Sequence, residues 1–221
     1  MGEWDEFGNI HGRGHLVWPD QSHYIGYFKN WRIGTWGRFI YPNSYVYQGD
    51  IRKGKMHGNG HLKTHDGTSY LGQFKADLKH GIGSETYRNG DSYHGEFKKG
   101  KKQGQGTLKL ASGEIFVGIF VNGLLHGWGE YTSPTGDSYE GDWGMGKMHG
   151  RGKYSCREGS YEGEFVNGRK HGIGKFVYRN GKQYEGEWKW GRQDGEGWLL
   201  LNNISMKGVW KRGARVKWIN Y

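Results

Sequence analysis

The strongest constraint on the fold is a short motif, Tyr-x-Gly-x-(Phe/Trp), that recurs along almost the whole chain of 221 residues. Its central glycine returns every 22 or 23 residues, at Gly26, Gly49, Gly72, Gly95, Gly118, Gly141, Gly163, Gly186 and Gly208. A fixed period of this length is typical of repeat proteins, in which each unit buries its apolar face only by stacking on its neighbours. We therefore expect a repeat array and not a single globular core.

A second motif, (His)-Gly-x-Gly, follows the first at a constant offset, as at 57–60, 80–83 and 149–152. Both motifs lie in segments with the period of two that is typical of strands. The X-Gly pairs between them favour the primed turns of β-hairpins, at Asn122-Gly123 and Asn167-Gly168 on one side and at Asp66-Gly67, Asn89-Gly90 and Asn180-Gly181 on the other. The sequence predicts an all-β fold, an elongated and twisted single antiparallel β-sheet. Two strands per repeat would give roughly 18 strands.

Glycine accounts for 43 residues, and the chain also contains 11 Trp and 15 Tyr but only three Pro. The scarcity of proline excludes collagen, and the aromatic content argues against disorder. Because a glycine weakens a strand unless another side chain covers it, we predict that aromatic rings lie across the glycines of the adjacent strand. Each buried ring contributes about 1.5–3 kcal/mol. The residues expected to define the repeats are Tyr47, Gly49, Tyr70, Gly72, Phe74, Tyr93, Gly95, Phe97, Gly118, Phe120, Tyr139, Gly141, Trp143, Tyr161, Gly163, Phe165, Tyr184, Gly186 and Trp188.

The motif is regular in the middle of the chain and degenerate at both ends. We interpret residues 1–221 as one array, with regular repeats over 47–205. Residues 1–46 are worn repeats or a cap, and residues 206–221 are a truncated repeat or a cap. The N-terminus lacks the pattern of a signal peptide, and a lone Cys156 builds no disulfide framework, so we expect an intracellular, cytoplasmic protein.

The complete unit Tyr-x-Gly-x-(Phe/Trp)…Gly-Lys-x-His-Gly-x-Gly, found at 139–152, resembles the MORN repeat. The resemblance covers almost the whole chain and is specific. It implies a groove-shaped antiparallel sheet and a non-enzymatic role, with no additional catalytic domain. Similar arrays occur in radial-spoke and other ciliary proteins, in junctional membrane tethers, in lipid-kinase regulatory segments and beside a SET methyltransferase domain. Such arrays hold partner proteins, dimerise or lie near membranes.

Three segments nearly match the P-loop Gly-x4-Gly-Lys-(Ser/Thr), at 49–56, 95–102 and 141–148. None has the Ser or Thr that would bind magnesium. A P-loop must also open a helix, whereas these segments span a predicted strand and its turn. We therefore expect no nucleotide site.

The regular histidines occur once per repeat, at His57, His80, His126, His149 and His171. Their expected spacing of roughly 10 Å is too wide for a shared zinc ion, whose ligands lie within about 2.1 Å of the metal. We interpret them as packing or hydrogen-bonding groups at the turn ends. The best local alternative for a metal site is the cluster of His57, His61 and His65, which also crosses a turn.

Acidic residues recur at i, i+2, about 7 Å apart, in the pairs Glu140/Asp142, Glu162/Glu164 and Glu185/Glu187. This spacing suits an inverting glycosidase. Because the pair repeats on one open face without a pocket, we interpret it as a solvated acidic stripe. Cys156 is interpreted as an ordinary thiol. We predict no catalytic residue, no cofactor and no metal.

The net charge is +10, and basic residues collect at the turns that follow the aromatic motif. The expected basic edge consists of Arg52, Lys53, Lys55, Lys98, Lys99, Lys101, Lys102, Arg169, Lys170, Lys211, Arg212 and Arg215. Such turns often serve only solubility and the avoidance of edge pairing. The functional alternative is an edge that binds an acidic protein surface or anionic lipid.

Two functions remain open. The first is a scaffold that binds partner proteins within a large cytoskeletal assembly, such as a radial-spoke-like part of a ciliary axoneme. The alternative is a peripheral membrane protein that docks on phosphoinositides through the basic edge. Nucleic acid is disfavoured because no RNA-reading motif is present and the aromatic residues are committed to the sheet. Since an open sheet exposes its edges, homodimers or end-to-end association are also expected options.

Overall fold

The computed structural model describes residues 2–219, which divide into two compact units with the boundary between Ala111 and Ser112. The strands of the first unit are β1 (Gly2–Trp4), β2 (Ile10–Val17), β3 (His23–Lys29), β4 (Arg32–Tyr41), β5 (Tyr45–Arg52), β6 (Lys55–Thr64), β7 (Ser69–Lys75), β8 (Leu78–Thr86), β9 (Ser92–Lys98) and β10 (Lys101–Lys109). The strands of the second unit are β11 (Ile115–Val121), β12 (Leu124–Thr132), β13 (Ser138–Gly144), β14 (Lys147–Cys156), β15 (Gly159–Val166), β16 (Arg169–Tyr178), β17 (Gln183–Lys189), β18 (Arg192–Leu201), β19 (Ile204–Lys211) and β20 (Ala214–Trp218).

Within each unit, every strand pairs in antiparallel fashion with the next strand in sequence. The predicted all-β class and the meander of hairpins are confirmed. The described residues form twenty strands instead of roughly 18, because the worn copy around Gly2 also folds into a hairpin, β1–β2. Residues 2–219 include no helix of the length and apolarity needed to span a membrane.

One face of each unit carries the apolar core as a row of interlocking aromatic rings. In the second unit, the ring of Tyr161 contacts Phe165 of its own repeat and Trp188 of the next, with centroids 5.1 Å apart in both pairs. The planes are inclined by 88° and 79°, and edge-to-face pairs of this kind add about 0.5–1.5 kcal/mol beyond area burial. Tyr70 in the first unit makes equivalent contacts with Phe74 and Phe97. The core is therefore a chain of contacts between neighbouring repeats.

The same tyrosines cover the strand glycines. Tyr161 is fully buried, and a Cβ added to Gly174 on the adjacent strand would lie 2.4 Å from its Cζ. The hydroxyl of Tyr161 donates to the carbonyl oxygens of Glu164 at 3.0 Å and His171 at 3.3 Å. Only glycine fits beneath such a ring, so the predicted covering of glycines by aromatic rings is confirmed.

Each regular repeat also contains a bulge that the sequence pattern did not reveal. Between β15 and β16 the register shifts after the Gly163–Gly174 pair, so that Glu164 lies opposite His171. Gly172 in this bulge has a φ of +57°, in the left-handed region that glycine adopts without strain. The Glu164 carboxylate accepts a hydrogen bond from the backbone nitrogen of Ile173 at 3.2 Å. The equivalent acceptors are Glu3, Asp50, Gln73, Glu96, Asp142 and Glu187.

The hairpins use two kinds of turn. At Asn167-Gly168 both residues have positive φ, +51° and +79°, which gives the predicted primed turn, and Asn122-Gly123 is the same. At Asp66-Gly67, Asn89-Gly90 and Asn180-Gly181 only the glycine has positive φ. There the glycine nitrogen donates to the carbonyl three residues earlier, which is typical of a type I turn closed by a left-handed glycine. The primed-turn prediction is wrong for these three pairs. Their loops are longer than two residues, so one left-handed glycine is enough to bring the chain back in line with the twist of the strands.

Candidate partner-binding surfaces

The face opposite the aromatic rings carries a ladder of charges in the second unit. Adjacent strands place its members directly opposite one another, and we call this row the charged ladder: Glu130, Glu140, Lys153, Glu162, Lys175, Glu185, Trp198 and Lys207. The Nζ of Lys175 lies 3.9 Å from Oε2 of Glu185. Directly opposed unlike charges contribute roughly 0.2–1 kcal/mol per pair. The unlike pairs of the ladder therefore favour this register, and every ladder residue except Lys207 is exposed.

A groove of about 830 Å³ lies on the same face. Its walls include the exposed side chains of Trp128 and Ile173 beside ladder residues such as Glu162 and Lys175. Its lining also includes strand glycines such as Gly163, where a bound chain can approach the backbone closely. We call this surface the open groove. It combines apolar area with paired charges, a composition suited to an extended segment of another protein.

The structure divides the predicted acidic stripe into two rows with different roles. Glu140, Glu162 and Glu185 belong to the charged ladder. The second members of the pairs are hydrogen-bond acceptors for the bulges, as shown by Asp142, whose Oδ2 accepts from the backbone nitrogen of Arg151 at 3.0 Å. The second row is solvent-exposed at Asp142 and Glu187, and its carboxylates also satisfy backbone donors, a role that the sequence interpretation did not include.

The first unit contains two of the predicted basic turns. Arg52, Lys53 and Lys55 flank one turn, and Lys98, Lys99 and Lys101 flank the other, all of them exposed. Lys55 Nζ lies 3.9 Å from Oδ2 of Asp77. Lys102 is placed differently, because its ammonium lies 5.1 Å from the ring centroids of both Tyr87 and Tyr93. Burial lowers the pKa of Lys102. It faces the aromatic core and not the turn.

In the second unit, Arg169, Lys211 and Arg212 line a pocket of about 460 Å³ together with Lys189, Trp190, Arg192 and Asp194. We call this the cationic pocket. Arg215 lies outside its lining and places its guanidinium 4.2 Å from the ring centroid of Trp218. Sequence reasoning did not include Lys189, Trp190 and Arg192, although their position at the equivalent turn of the next repeat could have indicated them.

Lys170, also predicted for the basic edge, lies among three rings of the aromatic core. Its Nζ is 4.1 Å from the ring centroid of Phe176, 5.1 Å from that of Tyr161 and 5.2 Å from that of Trp188. Burial lowers its pKa to about 8. The aliphatic stem fills the position that Met56 and Met148 occupy in other repeats.

The first unit contains one buried carboxylate in its aromatic face. Glu85, 6% exposed, forms an ion pair with Lys79 and accepts a hydrogen bond from the Tyr87 hydroxyl. Leu62 and Leu108 occupy the equivalent positions in the flanking repeats. The group is satisfied within the fold and is not aimed at a cavity.

The near-matches to known active-site motifs have structural roles. Each of the three P-loop-like segments spans the end of one strand, a hairpin turn and the start of the next strand, within the part of the chain that the structure describes. Across residues 2–219 no three His, Cys, Asp or Glu side chains are grouped so as to hold a metal ion. His61 donates to or accepts from the Ser69 hydroxyl at 2.8 Å, and burial lowers its pKa. The carbonyls of His57, His149 and His171 accept from the repeat tyrosines.

The repeat geometry matches a known family. The family model described as MORN repeat matches residues 1–23, 47–69, 70–92, 93–115, 116–138, 139–160, 161–183 and 184–203. The chain belongs to the MORN-repeat family. The resemblance predicted from the motif is confirmed, and the eight matched MORN repeats leave out residues 24–46 and 204–221. No curated protein sequence matches the MORN array.

Several solved structures resemble the MORN array over most of its length. The wild-type TCP10 domain of Danio rerio CPAP matches with a TM-score of 0.50 and 8% identity, over 94% of this chain and 100% of that chain. The same domain in complex with a peptide of Danio rerio STIL matches with a TM-score of 0.38 and 9% identity, over 95% and 100%. The SAS-4 TCP domain of Drosophila melanogaster, in complex with a proline-rich motif of Ana2, matches with a TM-score of 0.38 and 10% identity, over 90% of each chain. At these identities the likeness concerns the fold alone.

Proposed function

We propose that this MORN array is a non-enzymatic scaffold that holds extended segments of partner proteins, within a cytoskeletal assembly such as that of a ciliary axoneme. The observation that carries the proposal is the open groove of the second unit, where exposed Trp128 and Ile173 lie beside a row of side chains whose charges alternate in sign. Aromatic and aliphatic anchors with polar surroundings are the usual composition of a protein-binding surface. The ciliary setting rests on the resemblance of the repeat to those of radial-spoke and other ciliary proteins.

The fold supports a binding role because the groove is formed by backbone and side chains that the repeat already holds in place. The aromatic core stabilises the sheet from the opposite face, and Glu164 and Asp142 satisfy the bulges beside the groove. A partner segment would therefore meet a preorganised surface, which reduces the entropic cost of binding.

The test is a display library of unstructured peptides, selected on the wild-type chain alone, after which the selected peptides are titrated against the variant Trp128→Ser/Ile173→Ser. Both side chains are exposed, so the double variant keeps its stability within about 0.5 kcal/mol per substitution. The matched control is Ile204→Ser/Val216→Ser, which removes exposed apolar side chains outside the groove. The scaffold proposal predicts peptides that lose binding to the first variant and keep it with the control. Selected peptides that bind both variants equally would refute the groove as the binding surface.

The cellular setting has its own test. A tagged chain expressed in ciliated and non-ciliated cells is expected to concentrate at the axoneme in the former and to be diffuse in the latter. Diffuse staining in both cell types would exclude the ciliary setting and leave the peptide-binding role intact.

The alternative function is docking on anionic membranes, and the exposed turn of Lys98, Lys99 and Lys101 favours it. Each basic residue near such a surface contributes about 1 kcal/mol. Vesicles of phosphatidylcholine with and without a phosphoinositide, tested at about 0.15 M salt, separate the two functions. Membrane docking predicts phosphoinositide-dependent binding that Lys98→Glu/Lys99→Glu/Lys101→Glu abolishes. Lys102 stays unchanged in this variant because it packs on the aromatic core.

A further inference from the structure

The cationic pocket of the second unit gathers five positive side chains around one exposed aromatic ring. Arg169, Lys189, Arg192, Lys211 and Arg212 line the cavity of about 460 Å³, and Asp194 is the one carboxylate in its lining. That carboxylate is engaged, because its Oδ2 accepts from the backbone nitrogen of Arg212 at 3.0 Å.

The pocket is held in place by backbone hydrogen bonds between neighbouring hairpins. The nitrogen of Gly191 donates to the carbonyl of Lys170 at 2.8 Å, and the nitrogen of Gly213 donates to that of Gln193 at 2.8 Å. The three turns that carry the cations are therefore tied to one another through the backbone. A cavity of this kind is preorganised for a ligand.

Trp190 occupies a backbone position that does not favour it. It has a φ of +51° in a primed turn, at the position that Asn122, Met145, Asn167 and Arg212 occupy in other repeats of the same unit. A bulky side chain in the left-handed region is uncommon and strained, and such strain is typical of functional sites. The indole is 51% exposed and contacts the His171 ring edge-on, with centroids 5.0 Å apart. The turn keeps an aromatic ring among the cations at the cost of backbone strain.

We infer that the cationic pocket binds the phosphate monoester of a phosphorylated side chain on a partner protein. Arginine forks match the oxygens of phosphate in bidentate pairs, and three arginines converge here. Recognition of phosphorylated segments by arginine clusters is a general mode of peptide binding. The ring of Trp190 supplies a flat apolar surface for the rest of the modified side chain. This inference rests on the proposed scaffold function and assigns a chemistry to one of its partners.

The distribution of charge favours a single phosphorylated side chain over a membrane. A membrane would contact the tips of successive turns, yet the preceding tips in this unit are formed by Met145 and Asn167, which are uncharged. The positive charge is instead concentrated around the cavity that the last three turns of the unit line. A site of this size suits one phosphate and the side chain that carries it.

The test compares peptides of one sequence that carry a phosphotyrosine, a phosphoserine or the unmodified residue, titrated against the full chain by fluorescence anisotropy. At about 0.15 M salt we expect at least one phosphorylated peptide to bind about tenfold tighter than its unmodified form or more. Arg192→Gln should remove this difference. Trp190→Asn, which places here the residue that forms the same turn at Asn122 and Asn167, should weaken binding of the phosphorylated peptide while it keeps the turn.

The matched control is Arg179→Gln, an equal loss of charge on an exposed residue outside the pocket lining. Equal weakening by Arg179→Gln and Arg192→Gln would show a nonspecific effect of charge and overturn the inference. It would also be overturned if phosphoinositide vesicles bound in an Arg192-dependent manner while no phosphorylated peptide did. Peptides that bind regardless of phosphate, and that Trp128→Ser/Ile173→Ser loses, would uphold the scaffold and reject the phosphate site. Phosphate-dependent binding, in the absence of any peptide that needs Trp128 and Ile173, would uphold the phosphate site and reject the open groove as a binding surface.

Discussion

Replacing Lys170 by methionine should stabilise the protein near neutral pH, although the substitution removes three cation–π contacts. Methionine already occupies the equivalent position in two other repeats, at Met56 and Met148, and it fills irregular apolar space well. The cost of the lysine comes from holding an ammonium among the rings of Tyr161, Phe176 and Trp188. Lys170→Met removes that cost and keeps the apolar contacts of the stem.

The magnitude follows from the pKa of Lys170, which burial lowers from 10.5 to about 8. At 1.36 kcal/mol per pKa unit this difference gives an upper limit of about 3.4 kcal/mol. Lys170 is only partly buried, so solvent screening reduces the expected gain to about 2 kcal/mol. Because the unfolded chain binds the proton more tightly, wild-type stability rises with pH between about 8 and 10.5 through this group. The advantage of Lys170→Met is therefore full below pH 8 and fades as the pH approaches 10.5.

Urea unfolding followed by tryptophan fluorescence at several pH values between 7 and 10 measures the difference directly. Hydrogen exchange of peptides from β15–β17 gives a local reading of the same change. Lys147→Met, at an exposed position of β14, serves as the control and should change stability little at any pH. A variant Lys170→Met that is less stable than the wild type at pH 7, with a difference independent of pH, would refute the argument. It would show that the rings stabilise the ammonium more than burial destabilises it.

Further substitutions test the packing of the repeats. Tyr161→Phe keeps the ring but removes the hydroxyl that donates to two carbonyls, so it should cost about 1–2 kcal/mol in urea unfolding. Gly81→Ala places a Cβ 1.8 Å from Oε1 of Gln73 at a φ of +60°, and its melting temperature should fall by several degrees in calorimetry, roughly 4–8 °C per kcal/mol for a unit of this size. Lys79→Met alone leaves the buried carboxylate of Glu85 without its ion pair and should cost about 3–5 kcal/mol, whereas Lys79→Met/Glu85→Leu should recover most of the loss.

The repeat pattern was sufficient to predict the strands, the meander and the aromatic face of the sheet. The spacing of Tyr161 and Gly174 predicts that the tyrosine ring covers the glycine. The period of two and the hairpin pairing place both residues on the same face of adjacent strands, and the glycine leaves room there for the ring. The family resemblance came from the same residues. These features depend on local spacing, which a single sequence displays directly.

The bulges and pockets could not be obtained in this way. The role of Glu164 depends on a register shift of its hairpin, and a simple alternation of residues does not show such a shift. Lys170 and Lys102 read as members of a basic turn, yet a long aliphatic stem allows each ammonium to reach the aromatic face. The cationic pocket joins residues of three consecutive hairpins, so its cations become neighbours only through the stacking of repeats.

The dependence of each tyrosine on the next repeat also bears on how such a chain changes length. Tyr161 packs on Phe165 and Trp188, and the same pair of contacts recurs at Tyr139 with Trp143 and Phe165. Duplication or loss of one whole repeat inside a unit would recreate the same junction. A tyrosine ring would again cover a strand glycine, and a carboxylate would again accept a hydrogen bond from the bulge. The binding surface could thus be extended in evolution by steps of two strands, about 9.6 Å each. Individual repeats would remain free to acquire a pocket or a charge without disturbing their neighbours' cores.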